Sequence, residues 1–424
     1  MRGSASLSRP GGRSVAAAIE RLLGSDLPIA VRAYDGSRLG PASAPATLLI
    51  RSPAVFQRML SAPGELGLGR AYVAGELDVE GDLYAALAAL RERMPRVALG
   101  PSRWLDVVDL ARRGGLRVPP VPAEEARMHG RRHSRSRDAA AIAHHYDVSN
   151  AFYRLVLGPS MTYSCGVWST PTIQLEHAQS AKYDLVSRKL GLRSGTRLLD
   201  VGCGWGGMAI HAAERYGVTA VGVTLSRRQA EWAEKAVVDA GLAGRVEIRV
   251  QDYRDVRDGP YDAISSIGMF EHVGLSQLQS YFRGLHRLLP PGGRLLNHGI
   301  GRPPAKRTRF ARRSFVDRYV FPDGELHEVG SVVSTMQRSG FEVRHLESLR
   351  EHYALTLRAW VRNLEGSWDE AVGEVGAARA RIWRLYMAAA AINFEAGRTH
   401  VHQVLAVKAP DGASGLPLRP ARWS

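Results

Sequence analysis

A short apolar strand runs directly into a glycine-rich turn near the middle of the sequence, and this junction constrains the fold more than any other feature. The strand is Arg197–Val201, and the turn reads Gly202-Cys203-Gly204-Trp205-Gly206-Gly207. From there to residue 300, short apolar segments alternate with amphipathic helical segments. Because strands that alternate with helices form a parallel sheet covered on both faces, the sequence predicts a doubly wound α/β fold.

The spacing of the turn glycines distinguishes two kinds of ligand. A dinucleotide site uses G-x-G-x-x-G, whereas Gly202, Gly204 and Gly206 stand at alternate positions behind Asp200. This D-x-G-x-G-x-G pattern resembles the fingerprint of S-adenosylmethionine (SAM) methyltransferases, so we predict a Rossmann-like class I SAM-dependent methyltransferase sheet. The next strand lacks the acidic residue that normally binds the ribose hydroxyls.

The charge of the chain indicates an anionic partner. The sequence has 424 residues, with 57 Lys and Arg against 41 Asp and Glu, and a net charge of +16. Only five of the basic residues are Lys, so nearly all are Arg, whose guanidinium group binds phosphate through two hydrogen bonds at once. Nucleic acid and an anionic lipid surface both fit, and coding bias offers a partial alternative explanation. With two cysteines, a disulfide framework and a Cys-rich zinc module are excluded, and no metal site is predicted.

Neither a membrane span nor a signal peptide is predicted. The longest stretch without charges, residues 155–175, contains prolines, glycines and many hydroxyl side chains. The N-terminal residues carry Ser, Gly and Arg but no apolar segment. We therefore expect a cytoplasmic protein whose membrane contact is peripheral, at the inner face of the cell membrane.

Composition divides the chain into five parts. We predict a disordered tail at 1–13, a small α+β domain at 14–95, a linker with a basic end at 96–137, a catalytic domain at 138–410 and a tail at 411–424. Within the catalytic domain, Phe341–Leu346 and Gln403–Val407 would close the sheet. The segments 301–325, which is loop-like, and 351–400, which is mostly helical, interrupt it.

Four ordered motifs resemble the cyclopropane-fatty-acyl-phospholipid synthase family, which includes the mycolic acid cyclopropane synthases. Together they cover about residues 138–408. The first pairs His145–Asn150 with Met161–Cys165, and the second joins the glycine-rich turn to Thr224-Leu225-Ser226-x-x-Gln229. In this family the Thr-Leu-Ser-x-x-Gln segment replaces the usual acidic residue. The other two motifs are Gly268–Gly274 and His352–Trp360.

The resemblance implies a reaction in which a methylene group passes from SAM to the double bond of an unsaturated phospholipid acyl chain. The alkene attacks the sulfonium methyl, a carbocation forms on the neighbouring carbon, and loss of a proton from the new methyl closes a cyclopropane ring. In the family the base is held to be a bound bicarbonate. Its cage carries over to these positions of the present sequence: Cys165, Glu271, His298, Ile300 and Tyr353.

Residues 14–95 also resemble the small N-terminal domain of the phospholipid-acting members, which implies a lipid-binding domain and a homodimer formed through it. The resemblance further implies the contacts to SAM. The contacts to SAM carry over to a larger set: Tyr163, Ser164, Asp200, Gly202, Gly204, Gly206, Thr224, Leu225, Gln229, Asp252 and Tyr253. Each of the catalytic and binding residues could instead have a purely structural role; Cys165, for example, could be an inert buried thiol. Only the joint pattern favours the functional interpretation.

Two positions depart from the family pattern. Ala390 stands where many members carry a cysteine, so no thiol can be essential there if the reaction is normal. Gly299 stands where a threonine is common, and we expect its missing side chain to loosen the anion cage. These departures keep a sister reaction open, in which the proton leaves a chain carbon and a methylene branch results.

Two further classes compete with this interpretation. A nucleic-acid methyltransferase would need a base-recognition motif after the fourth strand, where the sequence instead has Gly268–Gly274. It would also need an RNA-binding module, of which there is no sign, so we expect no nucleic-acid partner. A catalytically silent lipid-binding protein is the other alternative, and the complete set of cage residues argues against it.

Overall fold

The computed structural model of this protein describes residues 14–93, 101–115, 118–126, 128, 130, 134, 135, 137, 148–304 and 314–419. The chain divides into two compact units: unit 1 reaches from the N-terminus to Glu125 and includes 313–315, and unit 2 holds the rest. Several features of the sequence lie outside the described residues: the predicted disordered tail, motif residues 145–147, and most residues of two clusters of basic side chains, at 131–137 and 302–318.

Unit 1 is built on a four-stranded mixed sheet with strand order β2-β1-β3-β4. Its strands are β1 (Ala30–Ala33), β2 (Arg38–Leu39), β3 (Ala46–Ile50) and β4 (Leu77–Gly81). Its helices, within the described residues, are α1 (Val15–Leu23), α2 (Ala54–Ser61), α3 (Glu65–Val73), α4 (Leu83–Arg93) and α5 (Pro101–Arg113). The sequence predicts helices at 15–23 and 82–93 and strands at 29–34 and 47–50, and α1, α4, β1 and β3 match these bounds to within one residue. Helices α2 and α3 and strands β2 and β4 were not predicted.

Helix α1 shows why the sequence specifies these elements so well. Ser14 caps it by accepting a hydrogen bond from the amide of Ala17 at 3.3 Å. Val15, Ile19 and Leu22 follow at helical spacing and are all buried in the core of unit 1. The helix ends at Gly24, whose φ of 96° suits a residue without a Cβ.

Helix α5 occupies the first part of the predicted linker. Val107 and Leu110 on its inner face are buried in the core of unit 1. Asp106 accepts a bidentate pair of hydrogen bonds from Arg21 of α1, at 2.8 and 2.9 Å. The prediction of a linker at 96–137 is therefore wrong for residues 101–113. The prolines at 119–122 are typical of a linker, but they follow an amphipathic helix.

Unit 2 contains a seven-stranded sheet with strand order β10-β11-β9-β8-β5-β6-β7. The strands are β5 (Arg197–Val201), β6 (Thr219–Thr224), β7 (Val246–Val250), β8 (Ala263–Ile267), β9 (Arg294–Gly301), β10 (Glu342–Ser348) and β11 (His400–Val407). Strands β5 to β9 pair in parallel, whereas β11 runs antiparallel to both β9 and β10. The predicted α/β fold with helical insertions is confirmed. The sheet is parallel except for β11, which runs in the opposite direction to the other strands.

Helices cover both faces of this sheet and form the two insertions. The described helices of unit 2 are α6 (Asn150–Leu157), α7 (Leu175–Leu190), α8 (Gly207–Tyr216), α9 (Arg227–Asp239), α10 (Leu278–Arg287), α11 (Phe315–Tyr319, apart from its first residue), α12 (Val329–Arg338), α13 (Arg350–Gly366), α14 (Trp368–Val375) and α15 (Ala377–Glu395). Leu416, in the predicted C-terminal tail, packs against the core. None of the helices in the described residues is long and apolar enough to cross a membrane.

The strand order places the functional region. The chain leaves β5 toward β6 on one side and later returns to β8 on the other. In open α/β sheets, the carboxyl ends of strands diverge at such a switch point and leave a crevice for ligands. The glycine-rich turn follows β5 at this point, so the topology brings the sequence fingerprint to the place where a ligand can bind.

Candidate active site

A cavity lies at the switch point, against the carboxyl ends of β5, β6 and β8. Most of the residues predicted to contact SAM line it: Tyr163, Ser164, Asp200, Gly202, Gly204, Thr224, Leu225, Gln229 and Tyr253. They come from four separate stretches of the chain. The structure therefore brings together in one cavity nine of the eleven residues that the resemblance selected.

The glycine-rich turn forms one wall of the cavity with its backbone. Gly202, Gly204 and Gly206 all have positive φ, at 76°, 55° and 86°, which favours glycine. The amides of Gly202 and Cys203 both donate to the carbonyl of Val223 on β6, at 2.9 and 3.0 Å. Gly206 was predicted to bind SAM, but it does not line the cavity. It is the N-cap residue of α8.

Asp200 stands at the end of β5 with its side chain almost fully buried. Its Oδ1 accepts a hydrogen bond of 2.6 Å from Ser265 on the neighbouring strand β8. Burial raises the pKa of this carboxyl to about 6, against the opposing effects of that hydrogen bond and of the nearby Lys182. Asp200 is therefore an acceptor that the protein holds in place at the floor of the cavity.

Lys182 also lines the cavity and was missed at the sequence level. It is 1% exposed, donates to Ser164 Oγ at 3.0 Å and lies 3.5 Å from the ring centroid of Tyr183. Burial lowers the pKa of its ammonium group to about 7. One sequence signal could have found it: lysine is rare in this chain, and two of the five stand one heptad apart on the buried side of α7.

The Thr-Leu-Ser-x-x-Gln segment forms a small network beside the turn. Thr224 Oγ1 donates to Gln229 Oε1 at 3.0 Å and accepts from the amide of Ser226 at 3.2 Å. Ser226 in turn caps α9 by accepting from the amide of Gln229. The network fixes polar groups at the end of β6, where an acidic residue is usual, and supports the interpretation of this segment as a substitute for that residue.

Asp252 and Tyr253 follow β7 but have different surroundings. Tyr253 lines the cavity, and its ring packs edge-on against Tyr281 at 5.0 Å. The Asp252 carboxylate accepts hydrogen bonds of 2.6 to 3.0 Å from the amide and the guanidinium group of Arg254, and it does not line the cavity. The assignment of Asp252 as a cofactor contact is therefore not borne out by its placement, and Gln251 lines the cavity in its stead.

Glu271 and Ile300 are joined directly. Glu271 Oε1 accepts a hydrogen bond of 2.6 Å from the Ile300 amide on β9. The other oxygen, Oε2, is buried and has no hydrogen-bond partner among the described residues. Burial raises the pKa of this carboxyl to about 7, so it changes charge near neutral pH.

His298 stands two residues before Ile300 on β9 and so faces the same side of the sheet. Its Nδ1 lies 3.2 Å from Gln403 Nε2, whereas its Nε2 is buried with no hydrogen-bond partner among the described residues. Burial, reinforced by Lys182 and Lys189, lowers the pKa of His298 to about 3. The imidazole is therefore neutral at physiological pH.

Cys165 and Tyr353 both hydrogen-bond to the backbone of Leu349. The Cys165 thiol donates to the carbonyl of Leu349 at 3.6 Å, and the amide of Tyr353 donates to the same carbonyl at 3.1 Å. The amide of Leu349 donates to Val401, which pairs with Ile300 across the sheet. Burial raises the pKa of the Cys165 thiol, so it stays protonated and cannot act as a nucleophile.

The Gly299 departure has a structural explanation. A Cβ added to this glycine would lie 1.8 Å from Cε1 of Phe270, so the Phe270 ring already occupies that space. Since alternate residues of a strand face opposite sides, this space is on the side away from His298 and Ile300. The expectation that Gly299 loosens the cage is therefore wrong, because an aromatic ring takes the place of the missing side chain.

Aromatic rings surround Tyr163 at the edge of the cavity. Trp360 stacks on it at 5.1 Å between centroids, and Tyr153 and Trp383 approach at 6.0 and 5.7 Å. The faces of aromatic rings attract cations. Tyr153 and Trp383 carry no sequence signal that distinguishes them from packing residues, because aromatic residues at helical spacing are usually part of a core.

The sequence matches the mycolic acid cyclopropane synthetase family over residues 133–404, which is more than half of the chain. The protein belongs to this family. A probable fatty acid methyltransferase of Mycobacterium tuberculosis is 48% identical over 410 residues, covering 93% of this chain and 94% of that protein. The cyclopropane-fatty-acyl-phospholipid synthase of Escherichia coli (strain K12) is 33% identical over 363 residues, covering 86% and 88%.

A solved structure shows the same relationship. The crystal structure of mycolic acid cyclopropane synthase CmaA1 complexed with SAH and CTAB matches with a TM-score of 0.60 and 34% identity, covering 64% of this chain and 98% of that one. The protein is thus a SAM-dependent methyltransferase of the cyclopropane synthase family that modifies lipids. The predicted family, fold class and enzyme class are confirmed, and so is SAM as co-substrate.

Proposed function

We propose that this enzyme transfers a methylene group from SAM to the double bond of unsaturated phospholipid acyl chains and forms a cyclopropane ring, with bicarbonate as the base. One observation carries the proposal. Glu271 Oε2 and His298 Nε2 are buried polar atoms without partners among the described residues, on side chains tied to Ile300 and β9. Unpaired buried polar groups are costly, so two on adjoining segments indicate a small polar ligand.

The residues present fit a bicarbonate ion. A neutral His298 can donate through Nε2–H, and an ionised Glu271 can accept the hydroxyl of the anion. Bound bicarbonate would supply the base that removes a proton from the new methyl group. The protein contributes a neutral Cys165 and an apolar, aromatic surrounding, which offer the cationic acyl chain no strong nucleophile.

The residues that line the cavity at the switch point would hold SAM. The glycine-rich turn presents backbone to the ligand, and Asp200 and Lys182 present a carboxyl and an amino group at the floor of the cavity. Tyr163, packed among other aromatic rings, faces the cavity with a ring that can stabilise the sulfonium. These residues bind and orient the methyl donor but take no proton.

The sister reaction is the second candidate. The relative with 48% identity is named a probable fatty acid methyltransferase, and that name does not specify a ring. In this reaction the proton leaves a chain carbon instead of the new methyl, and a methylene-branched acyl chain results. The five cage residues, present here together, favour ring closure.

An assay with defined vesicles tests both candidates. The protein is incubated with SAM and vesicles of monounsaturated phospholipid, and the extracted acyl chains are analysed by NMR. Because both products gain the same mass, only the NMR signals distinguish them. Cyclopropyl protons support the proposal, exocyclic methylene protons support the sister reaction, and no SAM turnover above background would indicate a silent lipid-binding protein.

We propose peripheral binding to anionic phospholipid at the inner face of the cell membrane, and a homodimer through unit 1. The net charge of +16 supports binding to anionic phospholipid. The proposal of a homodimer rests on the family resemblance of residues 14–95. Light scattering on the full chain at micromolar concentration measures the dimer, and a monomer mass would refute it.

A further inference from the structure

Three polar side chains stand in a row across three neighbouring strands of unit 2. Glu347 on β10 pairs with Gln403 on β11, and Gln403 pairs with His298 on β9. Residues opposite each other in a sheet project to the same face, so the three side chains are neighbours. Lys189, from helix α7, lies against this row and is fully buried.

The charge on Lys189 fixes the orientation of the Gln403 amide. The Lys189 ammonium is paired with the Glu347 carboxylate and lies 2.7 Å from Gln403. An ammonium group donates hydrogen bonds and cannot accept them, so the Gln403 atom facing it is the carbonyl oxygen. The NH2 group of the same amide must then be the atom 3.2 Å from His298 Nδ1.

The orientation of Gln403 in turn fixes the proton of His298. An amide NH2 group only donates, so Nδ1 must be the acceptor and carry no hydrogen. A neutral imidazole has one proton, and it is left on Nε2. That nitrogen is the buried atom without a partner among the described residues. The row of side chains thus leaves a single N–H donor on His298, at the nitrogen that would face the proposed anion.

We propose that Gln403 is a positioning residue that holds His298 in the Nε2–H tautomer, and that Lys189 and Glu347 fix the direction in which Gln403 donates. The donor serves the bound anion only if the proposed function holds. The tautomer itself follows from the hydrogen bonds alone. A histidine held in the wrong tautomer can lose catalysis by as much as about 10⁴-fold, so the arrangement has a measurable consequence.

The direct test is the nitrogen NMR spectrum of the full-length protein labelled with ¹⁵N-histidine. The His298 signals are those that disappear in His298→Asn. We expect Nε2 to show a bonded proton and Nδ1 to show the shift of a bare nitrogen. A proton on Nδ1 would overturn the proposal, whatever lipid product the enzyme makes, so this outcome is independent of the proposed function.

Two substitutions at Gln403 then separate positioning from packing. Gln403→Glu keeps the shape and the contact with Lys189, but its carboxylate accepts from Nδ1–H and so draws the proton away from Nε2. Gln403→Leu removes both hydrogen bonds and leaves His298 free to adopt either tautomer. We expect turnover to fall at least about 100-fold in Gln403→Glu and about tenfold in Gln403→Leu.

A packing role for Gln403 predicts the opposite order, because the glutamate retains a partner for the buried Lys189 and leucine does not. Unfolding midpoints and SAM affinity of both variants are measured beside turnover, to show that the fold and the SAM site remain. Gln337→Glu, the same change at an exposed position of α12, is the control and should leave turnover unchanged. If Gln403→Leu is the more damaged variant, the proposal is wrong.

Discussion

Glu271 has two oxygens in different environments, and this asymmetry defines its role. Oε1 is committed to the Ile300 amide, while Oε2 is buried without a partner among the described residues. The side chain is therefore oriented by β9, and Oε2 is the oxygen that the proposed anion would contact. Two predictions follow from its position and its ionisation.

The first concerns Glu271→Gln. The amide can still accept from Ile300, but its NH2 group replaces the acceptor that would face the anion. We expect turnover to fall by about 100-fold or more, with SAM affinity changed less than about threefold, since Glu271 does not line the SAM cavity. Calorimetry with SAM and a turnover assay measure the two effects, and equal loss in both would refute the assigned role.

The second concerns pH. Burial raises the pKa of Glu271 to about 7, so the carboxyl is protonated below that value and ionised above it. Only the ionised form accepts through Oε2, and we expect turnover at fixed bicarbonate to rise as pH increases through about 7. The pKa of His298, about 3, adds no change in this range.

A control separates Glu271 from Lys182, whose pKa is lowered to about 7 by burial. The residual activity of Glu271→Gln should lose the rise with pH, whereas Lys182→Met should keep it. The opposite pattern would assign the pH dependence to Lys182.

At the level of elements, β9 and the segment after β8 fit together through Gly299 and Phe270. The Phe270 ring lies where a side chain at position 299 would be, and Phe270 is next to Glu271 in the chain. The contact therefore sets how closely the segment that carries Glu271 can approach the strand that carries His298 and Ile300.

We expect Gly299→Ala to destabilise the protein by about 1–3 kcal/mol, because the new methyl forces the Phe270 ring or the strand to move. Urea denaturation measures the free energy of unfolding. Gly330→Ala is the matched control: this glycine lies in α12 with no atom within 4 Å of a new Cβ, and alanine there should stabilise by about 0.5–1 kcal/mol. An unchanged free energy of unfolding in Gly299→Ala would contradict the packing argument.

For the whole molecule, the net charge of +16 supports electrostatic attraction to anionic lipid. Part of the basic cluster at 131–137 is neutralised, however. Arg135 pairs with Asp255 at 2.9 Å, and Arg137 pairs with Asp323. The attraction must then come from other basic residues, and the cluster at 302–318, which follows the strand of His298, is the candidate.

We expect binding to anionic vesicles, and activity on them, to fall steeply with salt. Raising salt from about 0.1 M to about 1 M shortens the screening length from about 10 Å to about 3 Å. Sedimentation of the protein with vesicles at increasing salt measures the effect, and neutral vesicles serve as the control. Binding that does not change with salt would show that the charge is compositional.

Local sequence was sufficient for much of unit 2. Strand β5 was predicted with its observed bounds, since it is a short apolar run that ends at turn residues. The glycine-rich turn and the Thr224–Gln229 segment also have a local cause, because positive φ and caps are properties of a few adjacent residues. These features determined the fold class, the family and the SAM cavity.

Only the tertiary structure decided the surroundings of the candidate catalytic groups. Gln403 lies 105 residues from His298 and 214 from Lys189, and no local pattern links them. Burial set the protonation of Glu271 and His298, and the reversed direction of β11 set the register that brings Gln403 to His298. The sequence by itself determined which residues could take part; the long-range packing decided which atoms are buried, which are paired, and which remain for a ligand.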